Sequence, residues 1–288
     1  MKKIALAGVA HIHAPNFVKR LQERSGVEVV SLWDHDRARA ERYAKEIGCR
    51  ICGEAEELWN DPEVDAVVVC SETDRHAALV PAAAKAGKHL FVEKPLGFSA
   101  ADAREMAKAI REAGVLFQTG YFMRGFPAHR ALKQMIADGV FGTVTRIRHS
   151  NCHQGSLGGW FVTCRCGAEC DETGTALLKF SDGAVAMLAG GWVDQANPVT
   201  CEVSGTDGFA YILNGELFVI SPKLEGADGK APWQPLPEAL PHAFELFLDA
   251  LEGKDVPLVS ACEAADRNIV MEALYKAAKG HCWERPAY

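Results

Sequence analysis

Five short apolar runs, separated by stretches with helical spacing, dominate the first 120 residues and constrain the fold more than any other feature. They cover residues 4–9, 27–33, 66–70, 89–93 and 115–119. Each is apolar almost continuously rather than alternating with polar residues. Strands read this way when both faces are buried, as in a parallel sheet covered by helices. Parallel neighbours need crossover connections, and these are right-handed, so the pattern predicts a doubly wound α/β layer. The punctuation agrees. Pro15 suits the first turn of a helix, where a missing N–H costs nothing. Phe17, Val18 and Leu21 give that helix an apolar face, and Gly26 ends it. Ser99 with Asp102 forms a capping-box pattern, opening a helix that Gly114 closes.

The character changes after Gly120. A helical stretch at 128–138 leads through Gly139 into a strand at 143–149. Shorter alternating runs follow at 175–180, 184–189, 200–204, 209–213 and 217–220. Ser181-Asp182-Gly183 and Asn214-Gly215 are hairpin signals, because Gly and Asn tolerate the positive φ of tight turns. The expectation is an α+β domain with an open, mostly antiparallel sheet, one face on helices and the other available to a second subunit. A proline-rich connector at 232–241 precedes helices at 242–251 and 261–279. The boundaries expected are 1–120 and 121–288.

Composition excludes several classes. With 48% hydrophobic and 24% charged residues, the chain is neither disordered nor fibrous. A net charge of −7 argues against a nucleic-acid surface. No apolar run approaches the roughly 18 residues that would suggest a membrane span. The apolar run at 4–10 stops at His11 without a small-residue cleavage pattern, so it reads as a first strand and the chain as cytoplasmic. In that setting the ten cysteines are expected to be thiols, often buried.

Between the first strand and first helix lies Gly8-Val9-Ala10-His11-Ile12-His13, where a dinucleotide fold places G-x-G-x-x-G. Only the first glycine is present; Ala10 is nearly as small, and His13 is not. The second strand ends at Asp34, 26 positions after Gly8, near the spacing of the acid that binds an adenosine ribose. A carboxylate there repels a 2′-phosphate, which favours NAD over NADP; His35, Arg37 and Arg39 follow at once and soften that preference. Two further segments sit at strand carboxyl ends, where open α/β sheets bind ligands. One runs from Cys70 and Ser71 through Thr73 to His76, and the other is Glu93-Lys94-Pro95.

In order and spacing, residues 61–69, Thr73 to His76 and Glu93-Lys94-Pro95 resemble the glucose–fructose oxidoreductase/inositol dehydrogenase/MocA family. Gly120-Tyr121 with Arg124 and Pro127, Gly205-Thr206-Asp207-Gly208 and the C-terminal helical segment fit as well. The resemblance covers most of the chain. It implies a Rossmann domain, a second domain with an open sheet, and NAD(P)-dependent oxidation of a sugar, polyol or similar alcohol. It implies a cofactor site at Gly8, Ala10, His11, Ile12, His13, Asp34, His35, Cys70, Ser71, Thr73, His76, Glu93, Lys94 and Pro95. Lys94 would stand beside the nicotinamide and the reacting hydroxyl, aimed by Pro95, often cis in the family. Homo-oligomers through the open sheet are also implied by analogy.

The chain departs from the family in one place. Members usually carry a helix with Asp-x-x-x-His after the first strand of the second domain, supplying an acid or base. Here Gly158-Gly159-Trp160-Phe161 runs straight into Val162-Thr163-Cys164, and no such motif occurs between Gly155 and Gly191. His149 and His153, four apart, are the candidates to substitute, with His153 the catalytic expectation beside Lys94. Arg124, His153 and Trp160 are the substrate-side expectations. Two other readings stay open: a dinucleotide-binding protein with impaired turnover, acting as sensor or scaffold, and a thiol–metal protein using Cys152, Cys164, Cys166 and Cys170. The cysteine spacing fits no strong zinc pattern, and Cys49 and Cys52 would face opposite sides of a short strand.

Overall fold

A computed structural model describes residues 1–155, 173–195 and 199–288. Two compact units emerge: Met1–Tyr121 with Pro241–Tyr288, and Phe122–Leu240.

The first unit is built on a six-stranded sheet. In chain order its elements are β1 (Lys2–Ala7), α1 (Ala14–Glu23), β2 (Val27–Trp33), α2 (Arg37–Ile47), β3 (Arg50–Ile51), α3 (Glu56–Asn60), β4 (Ala66–Val69), α4 (His76–Lys85), β5 (His89–Val92), α5 (Ala100–Ala113) and β6 (Phe117–Thr119). The strand order is β3-β2-β1-β4-β5-β6, and every neighbouring pair is parallel. This is the doubly wound order in which ligands bind outside the strand carboxyl ends. Continuous apolarity has the expected cause: successive side chains point to opposite, equally buried faces. Ile4, Leu6, Val68 and Phe91 meet Phe17 and Leu21 of α1. Ala5, Val67, Leu90 and Val92 meet Leu79 and Val80 of α4 and Met106 and Ile110 of α5. The Ser99–Asp102 capping box is present, and Gly114 closes α5 in the left-handed conformation.

The second unit contains α6 (Pro127–Ala137), β7 (Val144–Cys152), β8 (Thr173–Lys179), β9 (Val185–Gly191), β10 (Val199–Gly205), β11 (Phe209–Leu213) and β12 (Glu216–Ile220). Its sheet runs β12-β11-β10-β7-β9-β8 and is antiparallel except for β7 beside β9. Val203, Ala210, Ile212, Leu217 and Val219 line the face that Ala128, Leu132 and Met135 of α6 cover.

The C-terminal helices correct the domain reading. Helices α7 (Ala243–Leu251) and α8 (Ala261–Gly280) belong to the first unit, not to a second domain at 121–288. Phe244, Phe247, Leu248 and Leu251 of α7 join Phe17 and Phe91 in one core, and α8 packs on α5. An amphipathic helix satisfies either sheet equally well on paper, so the apolar stripe of α7 did not show which one it covers. No helix among the described residues is long and apolar enough to cross a membrane.

Candidate functional site

The turn after β1 comes first. Gly8 donates to the carbonyl of Trp33 at 2.7 Å and has φ +81°. A Cβ there would stand 2.5 Å from Ser71 Cβ and 2.7 Å from Ser71 Cα, so the turn lies directly on the segment after β4. Only glycine satisfies both demands. β1 stops at Ala7 rather than at Val9 because the Val9 N–H leaves the ladder and donates to Asp34 Oδ2 at 2.8 Å. His11 N donates to the carbonyl of Cys70 at 3.0 Å, and α1 begins at Ala14. The positive end of its dipole therefore meets the turn, as suits an anionic ligand. Ala10 and Ile12 lie half-buried in the turn.

Asp34 is buried at the end of β2. Besides Val9, its carboxylate accepts from Asp36 N at 2.9 Å and from the Arg39 fork at 2.8 and 2.7 Å. Burial opposes ionisation, but the donors from Arg39, Val9 and Asp36 hold the carboxyl below its ordinary range. Arg39 also donates to Glu72 at 3.1 Å, and His35 Nδ1 lies 3.4 Å from Asp34 and 3.5 Å from Glu72. Arg37 instead pairs with Glu41, exposed.

Glu93 is fully buried at the end of β5. One oxygen accepts the Lys94 N–H at 2.8 Å; the other is 2.7 Å from His13 Nδ1 and 3.7 Å from His11 Nδ1. Burial disfavours the charged carboxylate, but the His13 hydrogen bond and the nearby His11, His13 and Lys94 hold it below its usual value. Burial pushes the His11 imidazole down to about 4. Where the fingerprint has its third glycine, His13 thus faces Glu93, and the two segments are tied together. His11, His13 and Glu93 bring three ligand-type atoms within 4.8 Å of one another.

Lys94 is half-buried, and the Lys94–Pro95 peptide is cis, with Pro95 exposed. Cys70 and Ser71 are buried, and Thr73 opens a short 3₁₀ turn to Arg75. His76 is buried and lies 3.0 Å from the Leu96 carbonyl, fixing the turn after Pro95; burial lowers its pKa. The cofactor-side residues therefore gather at the carboxyl ends of β1, β2, β4 and β5. A dinucleotide fits this arrangement at the Gly8 turn, where a side chain would close the approach to Ser71. At the ribose end the acid is present with its acceptors occupied.

Arg124 and His153, expected from the sequence to meet the substrate, belong to the second unit. Arg124 is exposed in a 3₁₀ turn, Phe122–Gly125. His153 follows β7, donates its N–H to Gly191 and sets its ring against Trp192 at 4.4 Å. The His149 ring lies edge-on to His129 of α6, 6.4 Å between centroids. Trp160, Cys164, Cys166, Cys170 and the join at 161–162 lie outside the described residues. Cys49, Cys52 and Cys152 are free thiols.

His242 carried no sequence signal. It caps α7 by accepting from Phe244 N at 3.2 Å and lies against Phe17, in the same core as the Gly8 turn. Only the return of the chain brings it there.

Residues 2–121 match a family model described as an oxidoreductase family with an NAD-binding Rossmann fold. A trans-1,2-dihydrobenzene-1,2-diol dehydrogenase of Oryctolagus cuniculus is 30% identical over 242 residues, covering 71% of this chain and 73% of that one. A 1,5-anhydro-D-fructose reductase of Ensifer adhaerens is 39% identical over 163 residues, 56% of this chain and 49% of that one. The chain spans about half the length, or less, of the first curated relatives it matches. In fold it is similar to a levoglucosan dehydrogenase solved with NADH and levoglucosan, with a TM-score of 0.78, 16% identity, and 99% of each chain covered. The strand order, the turn at Gly8 and the Glu93-Lys94-Pro95 corner thus have a shared origin: this chain belongs to the glucose–fructose oxidoreductase/inositol dehydrogenase/MocA family.

Proposed function

We propose that the protein is an NAD(P)-dependent oxidoreductase acting on a hydroxyl of a sugar, polyol or related alcohol. One observation carries the reading: the Gly8 turn, Asp34, Ser71 and Glu93-Lys94 converge at the carboxyl ends of a sheet ordered 3-2-1-4-5-6. The relatives support the substrate class, being named for anhydrofructose, inositol and dihydrodiol chemistry.

A bound nicotinamide supplies the hydride acceptor or donor; the chain's own residues do the rest. The α1 N-terminus and the Gly8 turn receive the pyrophosphate. Glu93 holds the Lys94 backbone through its N–H, and Lys94 Nζ hydrogen-bonds the substrate oxygen, stabilising the alkoxide present once the hydroxyl proton has been taken and before hydride departs, or formed when a carbonyl is reduced. His153 is the second proton-handling group of this reading, with Arg124 and Trp160 on the substrate side. The cysteines among the described residues are free thiols, which suits a reducing cytoplasm, and homo-oligomers form through the open face of the second sheet.

The test is direct. NADH is titrated by fluorescence, and sugars, inositols and other polyols are then screened for coenzyme reduction. Lys94→Ala should keep NADH affinity within a few-fold and lose at least about 10²-fold in kcat/KM. An active Lys94→Ala enzyme removes the lysine from the chemistry, and binding without turnover on every polyol removes the substrate class.

A further inference from the structure

A dinucleotide turn needs a small residue at position 13 and free backbone N–H groups; it has no need of imidazoles. This chain puts two there, His11 and His13, and sets both beside one carboxylate. Glu93 Oε1 lies 2.7 Å from His13 Nδ1 and 3.7 Å from His11 Nδ1, and Glu93 is fully buried. The backbone fixes the two histidines. His11 N donates to the Cys70 carbonyl at 3.0 Å, and the His11 and His13 carbonyls accept from Ala14 and Phe17 at 2.9 and 3.1 Å. His11 Nδ1 accepts the His13 N–H at 3.3 Å, so that nitrogen presents a lone pair rather than a proton.

We propose that His11, His13 and Glu93 form a binding site for a divalent transition-metal ion of the zinc class. Two imidazoles and a carboxylate make up a donor set of open zinc sites, in which three protein groups leave one position to water. Zinc bonds of about 2.0–2.2 Å at tetrahedral angles hold the donor atoms about 3.3–3.6 Å apart. All three donors here already lie within 4.8 Å of one another. The 2.7 Å pair must open and the 3.7 Å pair close, each by less than about 1 Å. The His11 and His13 side chains are 22% and 32% exposed, which gives them room to turn and leaves a coordination position to solvent. Charge alone does not favour the ion. Glu93 attracts it, but Lys94 and the N-terminus of α1 at Ala14 repel it. Coordination to nitrogen has to outweigh that repulsion. The site therefore takes Zn²⁺ or Co²⁺ and rejects Mg²⁺, which demands oxygen ligands and keeps its water. The other oxygen of Glu93 accepts the Lys94 N–H, so the ion and the lysine backbone share one anchor.

The experiment strips the protein of metal with a chelator, then titrates it with Zn²⁺ by calorimetry and with Co²⁺ by visible absorption. Zn²⁺ is expected to bind at one ion per chain with a Kd of about 1 μM or tighter, and Mg²⁺ to give no heat. Bound Co²⁺ should show d–d bands without thiolate-to-cobalt charge transfer, because no cysteine is a ligand. His11→Ala and His13→Asn should each weaken Zn²⁺ by about 10²-fold or more. Asn suits the helix-capping position that His13 holds, so the second variant decides the matter if the first fails to fold. His129→Asn, which removes an imidazole of the second unit, should leave the affinity where it was. Absence of Zn²⁺ binding, a thiolate band, or an affinity unmoved by His13→Asn overturns the inference. No coenzyme enters the assay, so the dinucleotide reading neither stands nor falls with it.

Discussion

Histidine burial couples this site to acid. Burial holds His11 and His242 neutral, with pKa values of about 4, and it lowers His76, His89, His129 and His149 in the same direction. In the unfolded chain these imidazoles titrate near about 6.5. Between those values the unfolded chain takes up protons that the folded chain does not, so stability rises with pH across the window. Acidification from pH 7 should therefore lower urea midpoints progressively, and below about pH 4 His11 and His242 add no further loss. His242→Asn keeps an N-cap acceptor and removes one of the imidazoles, so its midpoints should fall less steeply. An equal slope in both proteins would show that His242 is protonated as readily folded as unfolded. Legibility at this scale follows position. Gly8, Asp34 and Lys94 were readable because they end apolar strands at set spacings. The Arg39 bond to Asp34 and the approach of His13 to Glu93 were not, since side-chain direction and an 80-residue separation leave no pattern in sequence.

At the level of elements, the first sheet was legible nearly strand by strand, and the hairpins of the second were placed by their turn residues. The pairing of β7 beside β9 was not legible, because parallel neighbours that are not consecutive share no local signal. That pairing determines the open face. Leu177 of β8 lies directly opposite Met187 of β9, 50% and 38% exposed, and Tyr211 of β11 stacks on Phe218 of β12 at 4.8 Å. These pairs lie on the sheet face proposed above to meet a second copy of the chain. If copies of the chain meet there, Leu177→Lys with Met187→Lys places like charges across the pair and should split the assembly, halving or quartering the mass seen by light scattering while each unit keeps its circular dichroism. A wild-type protein that runs as a monomer at micromolar concentration removes the assembly proposal, and it leaves the fold and coenzyme reading untouched.

The whole molecule differs from its linear reading because the chain comes back. Pro241–Tyr288 completes the unit that Met1–Tyr121 begins, and α7 is part of its core rather than a cover for it. Phe244 and Phe247 are both fully buried; Phe244 stacks on Phe17 at 4.6 Å and meets Phe91 edge-on at 4.8 Å. Arg24, just past α1, clamps the same helix through Glu245, Asp249 and Glu252 at 3.0, 2.6 and 2.7 Å. Deleting a buried Phe side chain costs about 3–5 kcal/mol, whereas a whole domain is stable by only about 5–15 kcal/mol. Phe247→Ala should therefore leave a folded protein with a clearly lower urea midpoint. A chain stopped after Leu240 loses both phenylalanines and the Arg24 partners together, more than the unit can spare. It should show no cooperative transition for the coenzyme unit and no NADH binding, although Gly8, Asp34, Glu93 and Lys94 all remain in it. Cooperative unfolding of that unit in the shortened chain, with near-ultraviolet circular dichroism from its aromatic cluster intact, would mean that α7 only decorates a core already sufficient without it.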